Sequence, residues 1–124
     1  MPSDFKNQDL RDRTLNFALR IVRLSASLPN TKEAWVLGKQ VLRSGTSVGA
    51  HYREGCRSRS DAEFISKLEG GLQELDETSY WLELLGKGGV MPEKRLSELM
   101  KETDELTAIF TASVRTKKRK KEKE

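Results

Sequence analysis

The side chains with chemical potential gather in one short stretch, His51-Tyr52-Arg53-Glu54-Gly55-Cys56-Arg57, which continues to Arg59. His51 and Glu54 are three residues apart, so on a helix they share a face. Such pairs ligate metals in four-helix carboxylate proteins. There, however, the order is Glu-x-x-His, it occurs twice, and further inward glutamates complete the set. Here the order is reversed and the pair is single, and His51 is the only histidine. A polar packing role is expected for it, with no metal and no cofactor. Cys56 lies among Arg53, Arg57 and Arg59, and neighbouring positive charge favours a thiolate. A nucleophile also needs a base beside it, and only His51, more than one turn away, could serve. Cys56 reads as a bystander near a helix end, and the chain as no enzyme.

The carboxylates Glu69, Glu74, Asp76, Glu77 and Glu83 crowd one later segment. Hydrolysis by paired acids requires them to converge in a cleft. These sit off the apolar seam of their segment, which marks a solvated or subunit-facing surface. The basic groups carry the stronger functional pull. Arginine's planar fork suits phosphates and carboxylates alike. The candidates for nucleic-acid contact are Arg43, Arg53, Arg57 and Arg59, together with Lys117, Lys118, Arg119, Lys120 and Lys121 near the C-terminus. The competing reading is that the arginines pair with acidic helices across subunits, while the terminal lysines aid solubility. Charge is distributed unevenly along the chain. Residues 1–60 hold 11 basic and 5 acidic residues, residues 61–115 hold 6 and 12, and residues 116–124 hold 6 and 2. The chain thus has a basic half, an acidic half and a basic tail, and its folded body has no net positive excess to drive nucleic-acid binding by itself. Trp35, Tyr80 and Trp81 read as packing or interface residues, since no RNA-module signature or glycine-rich phosphate loop accompanies them.

Four stretches must position these groups. Leu10, Thr14, Phe17, Ile21, Leu24 and Leu28 alternate steps of four and three, the seam of an amphipathic helix. Leu15, Ala18, Val22 and Ser25 form a second stripe beside it, so this helix is expected to be buried on more than a narrow face. Pro29 stops it. Asn30 and Glu33 resemble a capping box for a second helix, with Ala34, Gly38, Val41, Gly45, Val48 and Tyr52 as its seam. Ser44-Gly45-Thr46-Ser47 is poor in helix propensity, and Gly45 alone costs about 1 kcal/mol relative to alanine. Small residues of this kind belong where a neighbouring helix comes close or the helix bends. Gly55 is expected as a left-handed C-cap. Ser60 and Glu63 form a second capping box, and Phe64, Leu68, Gly71, Leu75, Thr78, Leu82 and Leu85 give the longest seam. Pro92 opens a fourth helix, with Leu96, Leu99, Thr103, Leu106 and Phe110 inward. Short links between long helices make neighbours antiparallel. The fold class expected is all-α: an antiparallel up-and-down four-helix bundle over residues 1–115, with a disordered basic tail at 116–124.

Composition agrees with this. The 124 residues fit one domain. Hydrophobic residues at 35% and charged residues at 34% suit helices with one apolar stripe each better than a thick α/β enzyme. Such a chain builds a real core but is not expected to add a deep enclosed substrate pocket. A single cysteine excludes an internal disulfide and fits a reducing setting. No apolar run is long enough to span a membrane. The N-terminal residues lack the apolar core of a signal peptide, so a cytoplasmic location is expected.

The stretch Leu42 to Gly55, with Ser44, Gly45, Ser47, His51 and Glu54 in it, followed by Ser60, Glu63 and Phe64, closely resembles the signature of a bacterial four-helix-bundle family. That family is named for proteins encoded in 23S rRNA intervening sequences. The resemblance extends through Leu72–Thr78, Tyr80-Trp81 and Leu85-Gly86, and reaches the outer helices only by pattern. It implies a bundle that assembles into a ring, typically a homopentamer. It also implies kinship with the accessory variability proteins of diversity-generating retroelements, which partner a reverse transcriptase and nucleic acid. The family usually carries Asn where this chain has His51, so a helix–helix hydrogen bond made by that amide would pass to an imidazole nitrogen and become pH-sensitive. The expected function is an oligomeric interaction or scaffold protein contacting nucleic acid as a symmetric ring. The alternative is a dedicated RNA- or DNA-binding protein acting with a reverse transcriptase or ribosomal RNA.

Overall fold

The computed structural model describes residues 2–123, with side chains described from Asp9 onward. Four helices follow one another: α1 (Pro2–Ser27), α2 (Lys32–Cys56), α3 (Asp61–Lys87) and α4 (Glu93–Lys123). No strand occurs among the described residues. The α1, α2 and α4 seams read from the sequence face inward as expected, from Phe17 and Ile21 through Val41, Val48 and Tyr52 to Leu106 and Phe110. On α3, Leu68, Leu75, Leu82 and Leu85 are fully buried. Threonines within these seams satisfy their hydroxyls one turn back. Thr14 donates to the Leu10 carbonyl at 2.7 Å, Thr78 to Glu74 at 2.8 Å and Thr103 to Leu99 at 2.8 Å.

The helix ends correct several local expectations. The N-cap of α2 is Thr31, not Asn30; its hydroxyl accepts from the Ala34 N–H at 3.1 Å. Ser60 caps α3 as expected, accepting from the Glu63 N–H at 3.1 Å. The Glu63 carboxylate reaches back to the Arg59 N–H at 3.4 Å rather than to Ser60, so the box is not reciprocal. Gly55 is not a left-handed cap. It lies inside α2, which ends at an Arg57 cap with φ −94°. Gly55 serves close approach instead: a Cβ there would lie 2.8 Å from Leu68 Cδ1. The left-handed residue is Gly89, φ +73°, in the α3–α4 turn, where the N–H groups of Val90 and Met91 both reach the Leu85 carbonyl.

Packing centres on α2, which is pressed between α1 and α3 through its small residues. A Cβ on Gly45 would meet Ile21 Cγ1 at 2.7 Å and Cγ2 at 2.9 Å, and one on Gly49 would meet Thr14 Cβ at 3.3 Å. On the α3 side, Ser44 and Thr78 share a buried hydroxyl–hydroxyl hydrogen bond of 2.8 Å. A Cβ on Gly71 would lie 2.7 Å from the Phe110 ring, so α4 also approaches α3 over a glycine. In contrast, α1 and α4 barely meet. Arg13 bridges that open seam, placing Nε and Nη2 each 2.8 Å from the two Glu102 carboxylate oxygens. The hydrogen bond with Glu102, reinforced by the charges of Glu102 and Glu105, raises the guanidinium pKa above its ordinary value despite partial burial. A bidentate arginine–carboxylate pair is stronger and more directional than a simple surface pair.

Two expectations change at larger scale. The second stripe of α1 is only partly covered within one chain: Ala18 and Ser25 are half-buried, but Leu15 is 46% exposed and Val22 44%, with Leu19 beside them at 41%. The tail expected to be disordered instead continues α4 as helix to Lys123. Lysine and arginine are good helix formers, and cations at a helix C-terminus complement its dipole. The tail also finds acidic partners on α3. Lys117 and Lys120 reach Asp61 at 3.4 and 3.7 Å, and Lys118 reaches Glu69 at 3.2 Å.

Replacing Gly45 with alanine gains about 1 kcal/mol of helix propensity but forces a methyl into the immobile Ile21 side chain, an overpacking cost of about 1–3 kcal/mol. Thermal unfolding should show Gly45→Ala to be the less stable protein. The Ile21→Ala/Gly45→Ala double variant should be more stable than the two single effects sum to, by about 1 kcal/mol or more. The tail contacts are exposed ion pairs worth about 0–1 kcal/mol each. Asp61→Asn should therefore speed amide exchange at residues 117–121 while leaving the global melting temperature unchanged.

Candidate nucleic-acid interface

The antiparallel topology gathers four helix ends at one pole of the bundle: the first turns of α1 and α3 and the last turns of α2 and α4. Arg53, Arg57 and Arg59 arrive there from α2 and its following link, and the α4 terminus brings Lys117, Lys118, Arg119, Lys120 and Lys121. The basic half of the sequence forms α1 and α2 and the acidic half α3 and most of α4, so that asymmetry runs between sides of the bundle, while this pole gains its cations from the ends of α2 and α4, with Asp61 and Glu63 among them. The other pole carries a mixed set, with Lys87, Lys94 and Arg95 beside Glu83, Glu93 and Glu98.

The candidates differ in availability. Arg43 sits ten residues before Arg53, about 15 Å further along α2 at 1.5 Å per residue. It faces α3, where Nη1 lies 3.2 Å from Glu74 Oε1 and Nη2 is hydrogen-bonded to Glu77. Those hydrogen bonds, Glu74 first, raise its pKa. Arg43 is thus a clamp between helices rather than part of the basic pole. Lys117, Lys118 and Lys120 are paired as described above. Among the described residues, no ion pair forms at Arg53, Arg57, Arg59, Arg119 or Lys121, and Arg57 and Arg59 are exposed. Glu54, one turn on from His51, pairs with Lys67 of α3 at 3.2 Å.

The other motif residues hold the helices together. Ser44 and Gly45 make the α2 contacts already described, and Ser47 donates to the Arg43 carbonyl at 2.7 Å. His51 lies against the α3 backbone: a Cβ on Gly70 would be 2.8 Å from its Cε1 and 2.9 Å from its Nδ1. Its Nδ1 is buried and makes no hydrogen bond. The helix–helix bond that the resemblance implied at this position is not made by that nitrogen. Among the described residues, no group of three or more His, Cys, Asp or Glu side chains could hold a metal ion, and no helix is long and apolar enough to cross a membrane.

One feature of the basic pole was not legible beforehand. A half-open cavity of about 790 Å³ lies where the four ends part. Leu10, Phe64 and Ile109 provide apolar wall, Ser58, Ser113 and Thr116 provide hydroxyls, and the charged side chains lining it are Arg59 and Lys117 with Asp9 and Asp61. Cys56 and Tyr52 line it too. Burial, then a hydrogen bond with Cys56, pushes the Tyr52 hydroxyl well above the usual phenol range. Lys117 Nζ stands 5.3 Å from the centre of the Phe64 ring. The cavity lies where α1 does not close on α4. Its walls come from positions as distant as Leu10 and Ile109, so no local spacing announces it.

No curated protein matches the chain. A solved structure does: the 1.70 Å crystal structure of a protein of unknown function of the S23 ribosomal protein family from Bacteroides thetaiotaomicron VPI-5482. It is 37% identical, covers 89% of this chain and 98% of its own, and superimposes with a TM-score of 0.83. The family model described as 23S rRNA-intervening sequence protein matches residues 6–112, which takes in α2 and α3 whole, most of α1 and α4, and the whole Leu42–Gly55 motif. On that match, and on the bundle that carries it, the chain belongs to the family of 23S rRNA-intervening sequence proteins.

Proposed function

We propose that the chain is a non-enzymatic, self-associating helical module of the cytoplasm that engages nucleic acid through its basic pole. The observation that carries this reading is the second apolar stripe of α1. Leu15, Leu19 and Val22 lie together on the outward side, and Trp35 and Val36 at the start of α2 are 65% and 44% exposed. Fully burying a leucine or valine side chain is worth about 1.5–3 kcal/mol, so a helix with two apolar faces has a use for a second copy. A contact that is not isologous closes into a ring when its rotation permits; the family resemblance suggests five subunits. In a ring the basic pole repeats by symmetry, which multiplies weak phosphate contacts. A partner protein such as a reverse transcriptase, or ribosomal RNA itself, fits this reading.

Sedimentation velocity at micromolar concentration should show an assembly larger than a monomer. Leu15→Glu/Val22→Glu should sediment as a monomer with unchanged helical circular dichroism, since both positions face outward. A monomeric wild-type protein would remove the assembly. Fluorescence anisotropy with a labelled RNA or DNA should show affinity that falls steeply with salt. Arg57→Gln/Arg59→Gln should lower the slope of log affinity against log salt by about 2, while Arg43→Gln leaves it unchanged. An effect of Arg43 as large as that of the pair would contradict the assignment of the interface to the pole.

A further inference from the structure

We infer that the cavity at the basic pole receives an unstacked nucleobase, so that the protein prefers single-stranded nucleic acid to duplex. The inference rests on the nucleic-acid reading above and names which form is bound. The volume, about 790 Å³, falls within the range of pockets that take small molecules, roughly 300–1,000 Å³. Its chemistry selects among ligands. Leu10, Phe64 and Ile109 offer apolar wall for the faces of a ring. The hydroxyls of Ser58, Ser113 and Thr116 stand among them; each donates to a backbone carbonyl one turn back, of Gly55, Ile109 and Ala112 respectively, and so offers a lone pair to an amino group on the edge of a base. A hydrocarbon chain in the same place would strip water from those hydroxyls and give nothing back. The charges are mixed, since Asp9 and Asp61 line the cavity together with Arg59 and Lys117. Lys117 is held by Asp61 at 3.4 Å and stands over the Phe64 ring, whereas Arg59 makes no ion pair among the described residues. A phosphate flanking an inserted base would meet Arg59.

A paired base in a duplex is stacked on both faces and reaches such a cavity only after it is flipped out, at an energetic cost; a single strand presents its bases freely. Electrostatics alone favours the opposite order, because the duplex has the higher charge density. A preference for single strands therefore reports the cavity and not the basic pole in general.

The test uses the full chain with a 12-nucleotide single strand and the corresponding duplex at equal salt. Single-strand binding about tenfold tighter is expected. Ser113→Trp, which fills the cavity without changing charge, should erase that difference and leave duplex affinity intact. Because this variant could fail to fold, a second reading uses the wild type. Cys56 lines the cavity and is the only cysteine, so adenosine monophosphate should slow its modification by a thiol reagent and decanoate should not. Equal binding of both forms, with no protection by the nucleotide, overturns the inference while the nucleic-acid reading stands. Protection by decanoate alone identifies an acyl ligand and also overturns it. Protection by the nucleotide with no binding of either strand would retain the base pocket and remove the nucleic-acid reading, and failure of every arm removes both.

Discussion

Everything in this bundle hangs on how close α2 can come to its two neighbours. The approach is set by Gly45 against Ile21, Gly49 against Thr14 and Gly55 against Leu68, with the Ser44–Thr78 hydrogen bond fixing the register to α3. Glycine in a helix is intrinsically unfavourable, so this part of α2 holds its helix only because tertiary contact more than offsets the loss. Dispersion between atoms falls off steeply with distance. Backbone-to-side-chain contact at these separations therefore recovers energy that a longer gap would forfeit.

That constraint shapes the outside of the molecule as well. With α2 enclosed by α1 and α3, and α4 packed on α3, α1 is left with an outward apolar stripe and a thin seam to α4. The Arg13–Glu102 pair spans that seam without sealing it, and the ends at the basic pole stay apart around a cavity. An outward apolar face and a hydroxyl-lined opening are thus two results of one packing choice, and they lie on different parts of the surface.

Much of this was readable from residue spacing. The alternating three- and four-residue steps located all four helices and nearly every buried side chain, because burial of one stripe is the dominant requirement on a helix in a small bundle. Gly45 and its neighbours were legible as a close approach because so poor a helix former needs a tertiary reason. Gly55 was read as a turn residue, since its contact is with Leu68, across a link no local rule describes. Thr31 displaced Asn30 as the cap because either residue type fits the pattern and only backbone geometry decides. The tail looked disordered because it holds no apolar residue, yet Asp61 and Glu69 lie within reach of its lysines once α3 and α4 run antiparallel. Arg43 and Arg57 looked equivalent in sequence. Only the placement of Glu74 and Glu77 separates a clamp from a surface cation. The cavity was invisible for the same reason, since it is made of chain ends that meet in three dimensions.

Native-state hydrogen exchange on the full chain tests most directly whether α2 is the element on which the bundle depends. Amides of residues 44–49 in α2, and of residues 71–78 facing it in α3, should exchange only through global unfolding and be the slowest in the molecule. The outer helices should open at lower free energy. If the slowest amides lie instead in α1 or α4, with the glycine-rich turns of α2 exchanging through local opening, the close approach of α2 is not what holds this fold together.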